Sequence, residues 1–364
     1  MNRKLNTFFF YPGCLLFIIY LSSFHTNHTR TTVSIKKDQF YINKQLTYKH
    51  RYWKGNKIEG LLFNSRMVQG IFDDSNPKTQ GSFKYPDTNT WDPERNTDEF
   101  VAAMSDWKSY GLLAFTLNLQ GGSPLGYGNH GWVNTAFESD GILMPDYMHR
   151  LEKILNKADQ LRMIVILGYF YFGQDQHLDN EQSVINAVDN ITNWILKKGY
   201  RNILIEINNE CNISYHHEIL KPGHVSELIK RVQDMSDHRL LVSTSFGGNT
   251  VPSNNVIEVS DFILLHGNGI NNPDDIKKLV EKVTHSKAYT VKPILFNEDD
   301  HYNFDREKYN LKSSIESYAS WGYFDYRQKG EGYESGFQSV PVDWKISSER
   351  KRSFFNKLKE ITGY

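Results

Sequence analysis

The sequence has very little cysteine, which limits the kinds of site it can build. Its 364 residues include two cysteines, Cys14 and Cys211, and Cys14 lies in an apolar segment near the N-terminus. If that segment is removed, one thiol remains, which excludes an intramolecular disulfide and a cysteine-based zinc site. We therefore expect a core that is stabilised by packing alone.

An excess of charge of either sign is also missing. The chain carries 42 basic and 42 acidic side chains, so it has no electrostatic footprint for nucleic acid or for an anionic membrane surface. Aromatic residues are plentiful, with 22 Phe, 21 Tyr and 7 Trp. They can fill a large core, or they can line a cleft for a flat and weakly polar ligand such as a sugar.

The apolar run at the N-terminus is too short to span a bilayer. It covers residues 8–21, whereas a membrane span needs roughly 20 residues. A basic start precedes it and two serines follow, which is the layout of a secretory signal. We predict a signal peptide over 1–23, a polar linker over 24–32 and an exported protein, secreted or periplasmic. The alternative is an uncleaved N-terminal membrane anchor.

Residues 33–48 predict a short β-hairpin, because two alternating runs flank Asn43-Lys44. Beyond residue 66, short apolar runs alternate with segments of helical period. Most of these runs are continuously apolar, as in strands buried on both faces. The predicted strands cover residues 67–72, 112–119, 163–172, 202–209, 239–246, 261–266, 292–297 and 322–326.

The strict alternation of strand and helix predicts an α/β protein with a single (β/α)₈ barrel over residues 33–364. The hairpin is expected to cover the bottom of the barrel. No Gly-x-Gly-x-x-Gly follows a predicted strand where it opens a helix, which argues against an open, dinucleotide-binding sheet.

Two glutamates follow strands that stand on opposite sides of the predicted barrel. The fourth strand ends in Asn209-Glu210 and the seventh in Asn297-Glu298, and functional residues of such barrels collect just past the strand ends. Paired carboxylates perform glycoside hydrolysis, and a gap of about 5 to 5.5 Å gives retention of configuration. The spacing predicts Glu210 and Glu298 as catalytic residues.

This pattern resembles clan A glycoside hydrolases, most nearly the family 5 cellulase and mannanase type. The resemblance implies a retaining mechanism on β-glycosidic bonds, with Glu210 as acid/base, Glu298 as nucleophile, and neither metal nor cofactor. It also implies that Asn209 binds the sugar 2-hydroxyl, that His266 is the strand-six histidine and that Trp321 is the aromatic platform.

The sequence departs from the clan after strand six and after strand seven, where the run Glu298-Asp299-Asp300-His301 is more acidic than the clan requires. Arg66 is a poor match to the clan's arginine that steadies the nucleophile, because it comes before the predicted first strand. After strand six, His266-Gly267-Asn268 stands where the clan usually has His-x-Tyr, so the tyrosine partner of the nucleophile is unplaced.

Three further polar residues are predicted to contact substrate: Asn118, Gln120 and Asp175. They lie at or just past the ends of the second and third strands, where sugar hydroxyls would need partners. The expected partner is therefore an oligo- or polysaccharide.

Two other functions stay open. A metal-dependent barrel hydrolase or isomerase could use Glu298, Asp299, Asp300 and His301 with His266 and Glu210, although no His-x-His follows the first strand. A non-catalytic carbohydrate-binding barrel is the other, although binding alone does not need both a proton donor and a nucleophile.

Overall fold

Eight parallel strands form a closed barrel. The computed structural model describes residues 30–127 and 131–364, so the predicted signal peptide lies outside the described residues. The barrel strands are β6 (Asn64–Arg66), β7 (Ala114–Asn118), β8 (Ile164–Tyr171), β9 (Ile203–Asn209), β10 (Leu241–Ser243), β11 (Ile263–His266), β12 (Ile294–Glu298) and β13 (Gly322–Tyr323).

The pairing follows the chain order around the barrel. β6 to β10 pair in sequence, β11 pairs with β12, and β13 pairs with β6. Asp261 N donates to Val242 O at 2.9 Å between β10 and β11, and a bridge between Leu295 and Ser320 links β12 to the residues before β13. The predicted (β/α)₈ barrel is confirmed.

The helices that cover the barrel begin largely at the polar or proline residues that suit a first turn. Asp92 caps the first helix by accepting from Arg95 N, and Asn180 and Asn272 cap two others in the same manner. The helices are α1 (Pro93–Ser109), α2 (Pro145–Leu161), α3 (Glu181–Lys198), α4 (Val225–Met235), α5 (Asn254–Val259), α6 (Pro273–Thr284), α7 (Asn310–Glu316) and α8 (Glu349–Thr362). Among the described residues, none of the helices combines the length and the apolar character needed to cross a membrane.

The N-terminal strands are antiparallel and lie at the bottom of the barrel. They are β1 (Val33–Lys36), β2 (Gln39–Ile42) and β3 (Gln45–Leu46), followed by the small hairpin of β4 (Tyr52–Trp53) and β5 (Asn56–Lys57). Asn43 and Lys44 both have positive φ, as a tight hairpin turn requires. Phe40 packs edge-on against Phe262, just before β11. The predicted hairpin is confirmed, with β1 as an additional strand.

The predicted first strand, residues 67–72, is wrong. The strand is Asn64–Arg66, and Val68–Ile71 form a short 3₁₀ helix. A search for apolar runs does not find this strand, because its own residues are polar and have partners inside the barrel. Asn64 Nδ2, for example, donates to Phe296 O at 3.0 Å. The apolar run after it packs instead against α1, where Gly70 contacts the ring of Phe100.

Candidate active site

Glu210 and Glu298 come together at the carboxyl end of the barrel. Glu298 is the last residue of β12, and Glu210 follows β9. A carboxylate oxygen of each, together with a ring nitrogen of His266, lie within 4.8 Å of one another. The side chains are 14% exposed for Glu210 and 7% for Glu298, so both are largely shielded from water while remaining at the mouth.

The turn after β9 holds Glu210 in an uncommon backbone conformation. Its φ is 52°, which costs a non-glycine residue of the order of 1 kcal/mol. Ser245, after β10, holds this turn from both sides: its Oγ accepts from Glu210 N and its carbonyl accepts from Cys211 N, each at 2.9 Å. Ser245 therefore fixes the backbone position from which the Glu210 side chain extends.

His266 lies between the two glutamates. It pairs in register with Glu298 on the adjacent strand, and its Nδ1 is 2.8 Å from Glu210 Oε1 and 3.7 Å from Glu298 Oε2. Although burial lowers it, the pKa of the imidazole is raised above its ordinary value by the charge of Glu298 and by the hydrogen bond and charge of Glu210.

Two residues that the sequence left unassigned bind Glu298. Arg66 Nε lies 3.1 Å from Glu298 Oε2, and the Arg66 side chain is buried. Asn268 Nδ2 donates a hydrogen bond to Glu298 Oε1. Arg66 occupies the end of the true first strand, so its poor match was a consequence of the misplaced strand. Asn268 stands at the position left without a tyrosine.

Opposing effects set the acidity of the two carboxyls. Burial raises the pKa of Glu298 above its ordinary value, and the charge of Glu210 adds to this, while Arg66 and His266 act in the other direction. Burial also acts to raise the pKa of Glu210, but the hydrogen bond and charge of His266 outweigh it and lower this pKa. The environment therefore raises the pKa of Glu298 and lowers that of Glu210. Because the two carboxyls interact closely, they do not titrate independently.

Three of the other predicted substrate contacts are amide side chains, and they differ in their hydrogen-bond partners. Asn209 is buried beside Glu210, and its Oδ1 has no hydrogen-bond partner among the described residues; neither amide atom of the buried Asn118 has one either. Gln120 Nε2 donates to Thr135 Oγ1 at 3.3 Å. Gln120 Nε2 also donates to Gln174 O at 3.4 Å, so the buried amide atoms left without a partner among the described residues are the Oδ1 of Asn209, both atoms of Asn118 and the Oε1 of Gln120.

Asp175 and Trp321 are engaged in structural contacts. Asp175 is buried, and its Oδ2 accepts from the backbone N–H groups of His216 and His217 at 2.7 and 3.1 Å. Trp321 has no exposed surface, and its Nε1 donates to Asp299 Oδ2 at 2.8 Å. Trp321 therefore presents no exposed face, whereas Asp175 keeps its Oδ1 without a hydrogen-bond partner among the described residues.

Within residues 30–127 and 131–364, two clusters have side chains suited to a divalent metal, and the donor chemistry disfavours an ion at both. In the first, Glu210, His266 and Glu298, the guanidinium of Arg66 already lies against Glu298 and would repel a cation. In the second, Asp299, Asp300 and His301, Asp299 already accepts hydrogen bonds on both carboxylate oxygens, one of them from His301 Nδ1 at 2.6 Å.

Comparison with known proteins finds similarity in fold and none in sequence families. No protein-family model matches the sequence, and no curated protein matches it. A glycoside hydrolase family 5 structure from Bacteroides vulgatus is similar, with a TM-score of 0.57 and 14% identity over 91% of this chain and 71% of that one. The endo-1,4-β-mannanase of Rhizomucor miehei has a TM-score of 0.54 at 12% identity, covering 91% of this chain and 99% of that one. An endocellulase from Pyrococcus horikoshii has a TM-score of 0.52 at 14% identity, covering 92% of this chain and 99% of that one. The resemblance predicted from the sequence is confirmed in fold.

Proposed function

We propose that the protein is a retaining glycoside hydrolase that cleaves β-glycosidic bonds with Glu210 and Glu298. The observation that carries the proposal is the approach of the two carboxylates, whose oxygens come within 4.8 Å. This agrees with the gap of about 5 to 5.5 Å between the carboxyl groups of retaining enzymes, whereas inverting enzymes need about 6.5 to 9.5 Å to admit a water.

In the first half of the reaction, Glu298 attacks the anomeric carbon. The bond to the leaving oxygen breaks as a glycosyl ester forms on Glu298, and Glu210 gives that oxygen a proton. Arg66 and Asn268 bind the two oxygens of Glu298, so they hold the nucleophile in one orientation and favour its charged form.

His266 is the source of the proton that Glu210 must carry. Its Nδ1 is 2.8 Å from Glu210 Oε1, so moving one proton along this hydrogen bond turns an ion pair into a neutral imidazole and a carboxylic acid. A bound sugar that excludes water favours the neutral pair, because an ion pair loses solvation when it is covered.

In the second half, water attacks the glycosyl ester while Glu210 accepts its proton, and free Glu298 is regenerated. The unpartnered Oδ1 of Asn209 is available to accept a hydrogen bond from the sugar 2-hydroxyl, and the amides of Asn118 and Gln120 to bind other hydroxyls. Export by the N-terminal segment would place the enzyme where it meets oligo- or polysaccharides.

Covalent trapping tests the proposal. The protein is incubated with a panel of 2-deoxy-2-fluoro-β-glycosyl fluorides that differ in the sugar, and intact mass is measured. We expect a mass gain of one fluorosugar with at least one member, located on Glu298 by peptide mapping and absent in Glu298→Gln. Glu210→Ala should still react with aryl glycosides that have good leaving groups, since these do not need the proton.

An adduct on Glu210 would exchange the two roles. Activity lost on treatment with EDTA and restored by Mg²⁺ or Mn²⁺ would support a metal-dependent enzyme instead. No adduct and no turnover of any β-glycoside would overturn the proposal.

A further inference from the structure

The segment after β7 follows the rim of the barrel mouth, and we call its residues 119–127 the rim segment. It first passes the end of β8, where the backbone of Gly121 lies so close to Tyr171 that a Cβ would come within 2.7 Å of the ring. It then passes the end of β6, where a Cβ on Gly122 would come within 2.4 Å of Val68. Both glycines have positive φ, so the close approach depends on the absence of a side chain.

The segment continues over β13 and ends at β12. Gly126 lies against the ring of Tyr326, just after β13. Tyr127 packs edge-on against Tyr326 and Phe324, with ring centroids 4.9 and 5.7 Å apart. Its hydroxyl donates to Asp300 Oδ2 at 2.8 Å, and Asp300 comes two residues after Glu298. The rim segment thus spans the ends of β8, β7, β6, β13 and β12.

The rim segment is supported from behind. Pro124 O accepts from Val340 N at 2.9 Å, and Ser123 O accepts from Gln338 Nε2 at 3.4 Å. Val340 belongs to a buried apolar cluster with Phe72, Phe83 and Trp132. The segment is therefore a wall that is tied to the barrel by hydrogen bonds and by packing.

The opposite part of the mouth has much shorter connections. Residues 267–272 join β11 to α6 and residues 244–253 join β10 to α5, whereas residues 119–144 join β7 to α2 and residues 324–348 join β13 to α8. The long connections consequently lie on the side of β13, β6 and β7, next to Glu298 on β12, and the short ones follow β10 and β11, beyond Glu210 and its own connection of residues 210–224.

From this asymmetry we infer that the enzyme acts on chain ends, removing the sugar at the non-reducing end of a β-linked chain. The inference rests on the proposed function. The sugar attacked by Glu298 lies on the walled side, whereas the leaving group lies beside the acid, Glu210, and extends over the short connections of β10 and β11. Cleavage inside a chain needs a groove that is open on both sides of the catalytic pair, and the rim segment occupies one of these sides.

End-blocked substrates test the inference. The probes are β-1,4-linked gluco-, manno- and xylo-pentaoses and β-1,3-linked glucopentaose, labelled at the reducing end. Each is used with and without a methyl group on the terminal hydroxyl that would carry the next sugar, beside the 4-nitrophenyl β-monoglycosides of the same sugars. We expect turnover of a monoglycoside, labelled products that shorten by one sugar at a time, and at least about tenfold slower turnover of the blocked pentaose.

A variant of the wall supplies the second measurement. Tyr127→Ala removes the bond to Asp300 and the packing on Phe324, and it should raise KM for the monoglycoside more than it lowers kcat and allow cleavage of the blocked pentaose. The matched control is Tyr52→Ala, since Tyr52 is similarly exposed, at 59% against 54% for Tyr127, but lies in the β4–β5 hairpin. Circular dichroism and thermal unfolding verify that both variants fold.

The outcomes separate the two proposals. Internal cleavage of the blocked pentaose by the unmodified protein, at a rate similar to that of the free pentaose, would overturn the inference and leave the glycosidase intact. A Tyr127→Ala variant indistinguishable from Tyr52→Ala would overturn the role of the wall. Absence of turnover and of any trapped adduct would overturn the glycosidase, and the inference with it.

Discussion

Arg66 Nε lies 3.1 Å from Glu298 Oε2, and this ion pair joins the first barrel strand to the seventh beneath the mouth of the barrel. The two strands are separated around the barrel by β13 alone. Because both side chains are almost completely buried, each charge depends on the other for compensation. The pair therefore contributes to stability and to the charged state of the proposed nucleophile at the same time.

The first prediction concerns this pair. Arg66→Met leaves the Glu298 carboxylate buried without its cation, which should lower the free energy of unfolding by about 3 to 5 kcal/mol. It should also raise the pKa of Glu298, because Arg66 now acts to lower it. The acidic limb of the dependence of kcat/KM on pH should therefore move to higher pH. Urea unfolding measures the loss of stability, and the pH–rate profile measures the change in pKa.

Lys292→Met is the matched control for that experiment. Lys292 is a buried cation two residues before β12, the strand that ends in Glu298. Its Nζ donates to the carbonyls of Ile257 and Ser260 at 2.9 and 2.6 Å. Its removal should change stability and leave the acidic limb in place. If Arg66→Met destabilised the protein but left the pH profile unmoved, Arg66 would have a structural role only.

The second prediction concerns Asn268, which donates to the other oxygen of Glu298. Asn268→Ala should lower kcat/KM by about tenfold, equivalent to one charge-assisted hydrogen bond of about 1.4 kcal/mol. Asn268→Asp should lower it further at neutral pH, because it replaces a donor by a second negative charge. Asn271→Ala, in the same connection, is the control, since its amide donates to the backbone of Gly269. Equal kcat/KM values for Asn268→Ala and Asn271→Ala would contradict the assignment.

The sequence predicts the barrel well because its strands are buried on both faces. Ile164–Tyr171 and Ile203–Asn209 are buried along their whole length, and such strands appear as apolar runs. The first strand is the exception, since the side chains of Asn64–Arg66 meet partners that belong to strands more than 200 residues away. No local pattern carries that information.

The candidate site divides in the same way. Glu210, Glu298 and His266 could be predicted because each stands at the end of a recognisable strand. Tyr127 could not, because its contact with Asp300 joins residues 173 positions apart and depends on the path of a long connection. A sign was present in the repeated glycines of residues 121–126, which permit the backbone to approach other side chains closely.

The third prediction concerns Trp321, which the resemblance identifies as a platform for the sugar. Its full burial and its hydrogen bond to Asp299 favour a role in packing. Trp321→Phe should lower the free energy of unfolding by about 1 to 3 kcal/mol, through the lost hydrogen bond and a small cavity, and should change KM less than about threefold. Unfolding in urea and Michaelis–Menten kinetics measure the two. A large rise in KM without loss of stability would instead support a role for Trp321 as a platform that contacts the sugar.

The fourth prediction is a pH dependence of stability that comes from His266. Its pKa is raised in the folded protein, where the charges of Glu298 and Glu210 outweigh burial. A group whose pKa is higher in the folded state stabilises that state fully below its unfolded pKa, about 6.5 for histidine, and the contribution is lost as the pH rises through the folded value. Stability should therefore fall as the pH is raised above about 6.5.

His266→Gln isolates this contribution. The variant should be less stable than the unmodified protein at pH 6, and the difference should shrink as the pH rises through the folded pKa of His266. Other groups that titrate in this range, such as His301 with its own raised pKa, are common to both proteins and cancel in the difference. Urea unfolding between pH 5 and 9 gives the two curves. A difference that is constant across this range would mean that folding does not shift the pKa of His266. A difference that instead changes in favour of the unmodified protein as the pH rises from 5 to about 6.5 would mean that His266 is neutral in the folded protein, and the proton on Glu210 would then have to come from solvent.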